Sequence, residues 1–153
     1  MDTLSIIKPD DWHLHLRDGA AMRSVVNDSA RRFARAIVMP NLKPPVTTSE
    51  MALDYRRRIL DALQPGLEFE PLMTLYLTDN TTPDEIARAS QSPHIHAVKL
   101  YPAGATTNSD AGVTSIDRVY PVLEAMQWHD LPLLVHGEST ADEIDFFDRE
   151  RHY

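Results

Sequence analysis

The segment 10–36, DDWHLHLRDGAAMRSVVNDSARRFARA, contains one strand and one helix in succession and sets the fold class. Its residues 12–16 (WHLHL) form a short run rich in apolar side chains, which favours a β-strand. Within 20–36, apolar residues instead recur every three or four positions, which predicts an amphipathic helix. A strand followed by a helix is the repeating unit of parallel sheets that are covered by helices.

The same alternation continues to the end of the chain. Further strands are predicted at 36–40, 71–77, 96–102 and 131–137. Further helices are predicted at 47–63, 81–90, 114–129 and 140–150. No hairpin signal separates the strands, so the sequence predicts five parallel strands with helices packed outside them. At this point two closures are open, a doubly wound sheet or part of a (β/α) barrel. The lack of a glycine-rich phosphate loop after the first strand counts against a nucleotide-binding sheet.

Local signals fix two helix starts. Thr47 and Glu50 have the spacing of a capping box at the start of the second helix. At the third helix, Thr82 is the predicted cap, Pro83 occupies the first turn and Glu85 is predicted to reach back to the cap.

Composition narrows the function classes. The 153 residues are 42% hydrophobic and 25% charged, as expected of a soluble globular protein. The net charge of -8 argues against nucleic acid or an anionic membrane surface as the main partner. There is no cysteine, so a metal would need His, Asp, Glu or a modified residue. No apolar run approaches a membrane span and no signal-peptide pattern opens the chain, so a cytoplasmic location is expected.

Two histidines on the first predicted strand are candidate metal ligands. Strand side chains repeat with period 2, so His13 and His15 face the same side, and Arg17 continues that parity. Two neutral imidazoles on one face can take two positions around a metal ion. The alternative is one core histidine and one that faces solvent. A second pair, His94 and His96, precedes its strand at the structural end of the sheet and is not predicted to bind metal.

Lys99 and His136 are the other candidates, because each lies near the end of a predicted strand. A lysine that faces the interior of a barrel is buried, which lowers its pKa and favours the neutral amine. A neutral amine can react with carbon dioxide to give a carbamate, an anion able to bridge two cations. The alternatives are a lysine that snorkels to water and a histidine that makes structural hydrogen bonds at the strand end.

Four stretches of the chain together resemble dihydroorotase of the bacterial single-function type, within the amidohydrolase superfamily. They are DDWHLHLRDG (10–19), VMPNLKPPVTT (38–48), KLYPAGATTNSDAGVTS (99–115) and LPLLVHGE (131–138). The resemblance runs in order over essentially the whole chain. It implies an α/β fold, an incomplete (β/α)8 TIM-type barrel of about the first five strand–helix units. Residues 1–153 are expected to form a single partial barrel domain without its C-terminal strands.

The resemblance also implies a metal site and a reaction. His13 and His15 would hold one zinc ion, His136 a second, and Lys99 as its carbamate would bridge the two. The reaction implied is the reversible conversion of L-dihydroorotate and N-carbamoyl-L-aspartate in pyrimidine biosynthesis.

Substrate-binding residues are implied as well. Arg17 and Asn41 would bind the substrate carboxylate. Thr106 and Thr107 would donate hydrogen bonds to the substrate from a mobile loop.

By the same resemblance, no catalytic residue lies in this chain. The general-base aspartate of the family belongs to the eighth strand and a further zinc ligand to the sixth, both beyond Tyr153. The chain is therefore expected to be a fragment of a longer enzyme, inactive alone and homodimeric when full length. The unpaired edge of the fifth strand is expected to make it self-associate.

Two alternatives remain. The first alternative to dihydroorotase is another cyclic-amide hydrolase, of the hydantoinase or allantoinase type. The second is a non-catalytic metal-binding or interaction module. Arg17, Asn41 and the ATTN stretch (105–108) favour dihydroorotase over the other cyclic-amide hydrolases, because they suit a small ligand that bears a carboxylate.

Overall fold

A computed structural model describes residues 3–153 and contains one five-stranded sheet. The strands are β1 (Asp10–Leu14), β2 (Arg35–Val38), β3 (Glu70–Leu77), β4 (Ile95–Leu100) and β5 (Leu133–Val135). The helices are α1 (Gly19–Arg32), α2 (Ser49–Asp61), α3 (Pro83–Ser90) and α4 (Ile116–Trp128). All neighbouring strands pair in parallel and follow chain order from β1 to β5. A doubly wound sheet would reverse its order at a switch point, so the incomplete TIM-type barrel is confirmed.

The apolar core lies between the outer face of the sheet and the helices. On β3, Leu75 and Leu77 are fully buried against this side, with Ile59 of α2 and Ile86 of α3. The inner face carries a smaller apolar cluster, formed by Ile37, Met39 and Leu72 with the half-buried Leu134. Strands covered on both faces are expected to be largely apolar, and β3 is apolar apart from Glu70 and the buried Thr74. The polar residues of the inner face are therefore exceptions that call for a function.

The predicted fifth helix over 140–150 is wrong. That segment contains only a single turn of 3-10 helix, Phe146–Asp148, which Asp145 caps by accepting a hydrogen bond from the Phe147 amide. Phe146 and Phe147 are 69% and 91% exposed. A short helix needs an apolar face packed against the protein, and this segment has no buried one.

The predicted capping box of α2 is displaced by one residue. Thr48, not Thr47, is the N-cap, and its hydroxyl accepts a hydrogen bond from the Met51 amide at 3.3 Å. Thr82 and Pro83 begin α3 as predicted. The Glu85 carboxylate does not return to its own cap, however. It accepts hydrogen bonds from the Ser49 amide and hydroxyl, both at 2.6 Å, and so ties α3 to the start of α2.

Glu85 predicts a measurable pH dependence. Burial pushes the pKa of Glu85 upward, but hydrogen bonds from Ser49 and Arg88 outweigh burial and hold the pKa below its ordinary 4.5. A carboxyl group with a lowered pKa stabilises the folded chain above its unfolded pKa, and this stabilisation is lost as the pH falls through the folded-state value. Glu85→Gln should therefore lower the free energy of unfolding by about 2 kcal/mol at pH 7, with a smaller loss at acid pH.

Urea unfolding at pH 7 and below pH 4.5 measures this difference, with the exposed Glu124→Gln as control. A Glu85→Gln effect that does not shrink in acid would contradict the ionic role.

The open end of the sheet is partly apolar. Val135 of β5 is 43% exposed, and Leu133 and Leu134 are half-buried. Self-association through this edge stays a prediction. None of the helices in residues 3–153 has both the length and the apolar character that a membrane span requires.

Candidate metal centre

His13 and His15 come together at the end of β1. His13 is within the strand and His15 follows it by one residue. Their ring centroids are 5.0 Å apart, and their Nε2 atoms are 3.1 Å apart. Two nitrogens bound to a tetrahedral zinc ion at 2.0–2.1 Å lie about 3.3 Å from each other. The pair therefore has the separation of two ligands to one ion, as the period-2 spacing predicts.

Lys99 does not reach water. It is 3% exposed on β4, and its ammonium donates a hydrogen bond to the Val135 carbonyl at 3.1 Å. The nitrogen also lies 5.4 Å from the ring centroid of Tyr101. Burial lowers the pKa of the Lys99 amine, which increases the neutral fraction that can attack carbon dioxide. The structure thus contradicts the snorkelling alternative.

His136 directly follows β5, where its backbone amide donates to the Leu100 carbonyl at 2.9 Å. Its Nε2 atom is buried and has no hydrogen-bond partner among residues 3–153. The Oε1 atom of Glu138 lies 3.3 Å from this nitrogen, without hydrogen-bond geometry. A buried nitrogen without a partner is costly. This nitrogen is available as a metal ligand.

The pKa shifts of His13 and His15 show that these four side chains lie close enough to influence one another. His13 is exposed, but the part of its ring that is buried lowers its pKa, and the nearby charges of Lys99 and His136 lower it further, against an opposing effect of Asp11. Burial also lowers the pKa of His15, followed by the charge of His13. The neutral imidazole is the form that binds metal, so both effects favour binding.

The unmodified amine of Lys99 does not supply the oxygen ligands that this candidate metal centre lacks. Within residues 3–153, no three His, Asp or Glu side chains form a metal-binding group on their own. The histidines supply only nitrogens, whereas an anionic group with two oxygens could bridge two ions. A carbamate on Lys99 has that chemistry.

The second pair of histidines lies at the other end of β4. His94 precedes the strand and its Nδ1 atom is 3.6 Å from Glu70, while His96 is exposed. This is the N-terminal end of the strand, whereas Lys99 lies near the C-terminal end. The two His-x-His pairs therefore lie at opposite ends of the parallel strands.

Arg17 lies in the turn between β1 and α1 and its side chain is exposed. Its backbone has φ 60, a left-handed conformation that is uncommon outside glycine. The hydroxyl of Tyr55 donates to the Arg17 carbonyl at 2.5 Å, and Asp18 next to it caps α1 and pairs with Arg58. Helix α2 thus fixes the backbone from which Arg17 extends.

Asn41 makes contacts that the sequence does not predict. It is 2% exposed, and its Oδ1 atom lies 2.9 Å from Nδ1 of His15. Its Nδ2 atom donates to the Thr107 carbonyl at 2.9 Å. Thr107 is exposed and Thr106 half-buried in the loop that follows β4. Asn41 therefore joins the predicted substrate loop to a predicted metal ligand.

Tyr101 directly follows β4, at the same end of the strand as Lys99, and the sequence alone gives it no role. Its ring stacks on Tyr76 at 5.0 Å and lies 5.9 Å from the ring of His136. The hydroxyl is buried and has no partner among the described residues. Tyr101 is two positions after Lys99 and so faces the same side of the sheet.

Removal of the hydroxyl group is predicted to affect stability differently at Tyr55 and at Tyr101. Tyr55→Phe removes the hydrogen bond to the Arg17 carbonyl and should lower the free energy of unfolding by about 1–2 kcal/mol. Tyr101→Phe removes a buried hydroxyl without a partner and should leave that free energy unchanged or raise it by about 1 kcal/mol. Urea unfolding of the metal-free chain measures both. Equal losses would show that the Tyr101 hydroxyl is hydrogen-bonded in solution.

Comparisons with known proteins agree with this geometry. No protein-family model matches the chain. Dihydroorotase of Cupriavidus necator is 71% identical over 147 residues, which cover 96% of this chain and 43% of that protein. The chain thus spans about two fifths of the length of the curated relatives it matches.

Solved structures give the same result. The crystal structure of dihydroorotase from Campylobacter jejuni matches with a TM-score of 0.84 and 43% identity, over 95% of this chain and 41% of that one. Dihydroorotase of Saccharomyces cerevisiae in complex with 5-fluoroorotic acid matches with a TM-score of 0.83 and 37% identity, over 95% and 42%. L-Hydantoinase from Arthrobacter aurescens shares the fold, with a TM-score of 0.69 and 16% identity over 86% and 29%. Over nearly its whole length, the chain is therefore similar to the N-terminal part of dihydroorotase.

Proposed function

We propose that this chain carries the metal- and substrate-binding residues of a zinc-dependent cyclic-amide hydrolase that interconverts L-dihydroorotate and N-carbamoyl-L-aspartate in pyrimidine biosynthesis. The observation that supports this most strongly is the meeting of His13 and His15, with Nε2 atoms 3.1 Å apart, beside a buried Lys99. These residues lie at the C-terminal ends of parallel strands, where barrel enzymes place their active sites. Similarity to dihydroorotases, at 71% identity in one case, supports the choice of reaction.

His13 and His15 would hold one zinc ion and His136 the second. Lys99 would bridge them after its neutral amine adds to carbon dioxide and loses one proton, which gives a carbamate. The buried Nε2 of His136 and the burial of Lys99 fit these roles. When bound, the zinc pair supplies Lewis acidity and makes water more acidic.

Arg17 and Asn41 would bind the substrate carboxylate. The guanidinium of Arg17 can donate two parallel hydrogen bonds to it. Asn41 uses one amide hydrogen on Thr107, so its second remains for the substrate. The hydroxyls of Thr106 and Thr107 would donate from the loop above.

None of residues 3–153 is assigned as the general base. We therefore expect the 153-residue chain, as a single partial barrel domain, to bind zinc and substrate without turnover. The corresponding full-length enzyme would be a cytoplasmic homodimer that acts on a small molecule, with neither nucleic acid nor membrane as partner.

The hydantoinase or allantoinase alternative shares the metal residues but not the carboxylate-binding ones. Similarity to L-hydantoinase extends to the fold alone, at 16% identity. A non-catalytic interaction module would have no use for a buried lysine beside two paired histidines. Dihydroorotase chemistry is therefore the favoured proposal.

Calorimetric titration of the zinc-loaded chain tests the substrate assignment. N-carbamoyl-L-aspartate should bind at least tenfold more tightly than hydantoin, which has no carboxylate. Arg17→Gln should remove most of that preference. Binding of hydantoin with equal affinity, unchanged in Arg17→Gln, would favour the alternative hydrolase.

A further inference from the structure

We infer that Asn41 is a positioning residue that couples the loop over residues 102–114 to the metal ligand His15. The inference rests on the proposed function, since it takes His15 to be a zinc ligand. It assigns to Asn41 a second role, distinct from binding the substrate carboxylate. Three hydrogen bonds around Asn41 support it.

The first step is the orientation of the Asn41 amide. The Thr107 carbonyl can only accept a hydrogen bond, so the atom 2.9 Å from it must be the amide nitrogen. The oxygen of the same amide then faces Nδ1 of His15 at 2.9 Å. That oxygen cannot donate, so Nδ1 of His15 must carry the proton.

The second step follows from that proton. In a neutral imidazole with hydrogen on Nδ1, the Nε2 atom has a free lone pair. Nε2 of His15 is the atom that faces Nε2 of His13 at 3.1 Å. Asn41 thus holds His15 in the tautomer and ring orientation that a metal ligand needs, as a partner behind the ligand commonly does.

The loop also donates a hydrogen bond to Asn41, in addition to the one that it accepts through Thr107. The side chain of Asn108 donates to the Asn41 backbone carbonyl at 2.9 Å. Asn108 itself has φ 57, and its carbonyl accepts from the hydroxyl of Tyr76 at 3.3 Å. With Asn41 only 2% exposed, water does not readily replace Thr107 while the loop is in place.

The consequence is a mutual dependence of loop and metal. If residues 107 and 108 move away, the amide of Asn41 loses the contact that fixes its orientation, and His15 is free to change tautomer. By linkage, zinc on His15 must then stabilise the loop to the same extent that the loop strengthens zinc binding.

The His15 tautomer tests the first half without any metal. Nitrogen-15 NMR of the metal-free chain should show the proton of His15 on Nδ1. Asn41→Asp keeps an acceptor toward His15 and should preserve that state, whereas Asn41→Ala should give a mixture. Asp79→Ala, which removes two hydrogen bonds to Thr114 at the far end of the loop, is the control and should change nothing at His15.

Zinc affinity and loop protection test the second half. Asn108→Ala, which touches no proposed ligand, should speed amide hydrogen exchange at residues 106–109 and weaken zinc binding about fivefold or more. Asp79→Ala should leave zinc affinity unchanged. Faster exchange without a change in zinc affinity would overturn the coupling, as would a His15 tautomer that is unchanged in Asn41→Ala.

The two proposals fail in different ways. A chain that binds no zinc would contradict the proposed function, while the NMR measurement would still decide whether Asn41 sets the His15 tautomer. A chain that binds zinc with the same affinity in Asn41→Ala and Asn108→Ala would keep the proposed function and reject the positioning role.

Discussion

Lys99→Ala is expected to reduce zinc binding from two ions to at most one ion per chain. Lys99 is 3% exposed, and its amine donates a hydrogen bond to the carbonyl of Val135, the residue before His136. Its carbamate would be the only bridge that we assign between the two ions. Without that bridge, His136 is a single nitrogen donor, which is too few for a stable zinc site. His13 and His15 would still hold one ion weakly.

Elemental analysis of the dialysed proteins measures this loss. His96→Ala is the matched control, because it removes a histidine from the other His-x-His pair and should leave zinc content unchanged. Acetate or propionate should partly restore the second ion in Lys99→Ala, since either supplies a carboxylate in the space the side chain leaves. Lys99→Ala with its full zinc content would contradict the bridging role.

Leu75→Ala is expected to lower the free energy of unfolding by about 3–5 kcal/mol, the largest stability effect that we predict. Leu75 is fully buried on the central strand β3, in the core shared with the helices. Its removal would leave a cavity that rigid neighbours on both sides cannot fill.

Leu134→Ala on the inner face is the matched comparison. Leu134 is half-buried and packs on the smaller inner cluster, so its loss should cost about 1 kcal/mol. Equilibrium urea unfolding followed by circular dichroism gives both values. Similar losses for the two variants would mean that the stabilising core is not on the outer face of the sheet.

The fold was predictable because its signals are local. Apolar runs and helical periodicity located all five strands and four helices, and the lack of hairpin signals predicted that the strands are parallel. These signals left the order of the strands in the sheet open, and only the resemblance to dihydroorotase implied a barrel. Prediction failed over 140–150, where helical spacing exists but Phe147 is 91% exposed. Spacing shows which residues could form an apolar face, but only packing partners keep a short helix folded.

The candidate site was predictable in part. Period 2 on a strand is sufficient to bring His13 and His15 together, and the same rule places Tyr101 on the same side as Lys99. The contact from Asn41 to Thr107 spans 66 positions and depends on how the loop folds back. The tie from Glu85 to Ser49 similarly joins two helices 36 positions apart. No pattern of neighbouring residues encodes contacts of this kind.

Zinc content of the purified 153-residue chain, measured by elemental analysis after loosely bound metal has been dialysed away, tests the central proposal most directly. The proposed site predicts about two zinc ions per chain when bicarbonate is present, and loss of metal when His13 and His15 are both replaced by alanine. A zinc content close to zero in the unchanged chain would contradict the proposal that these residues form a metal centre here.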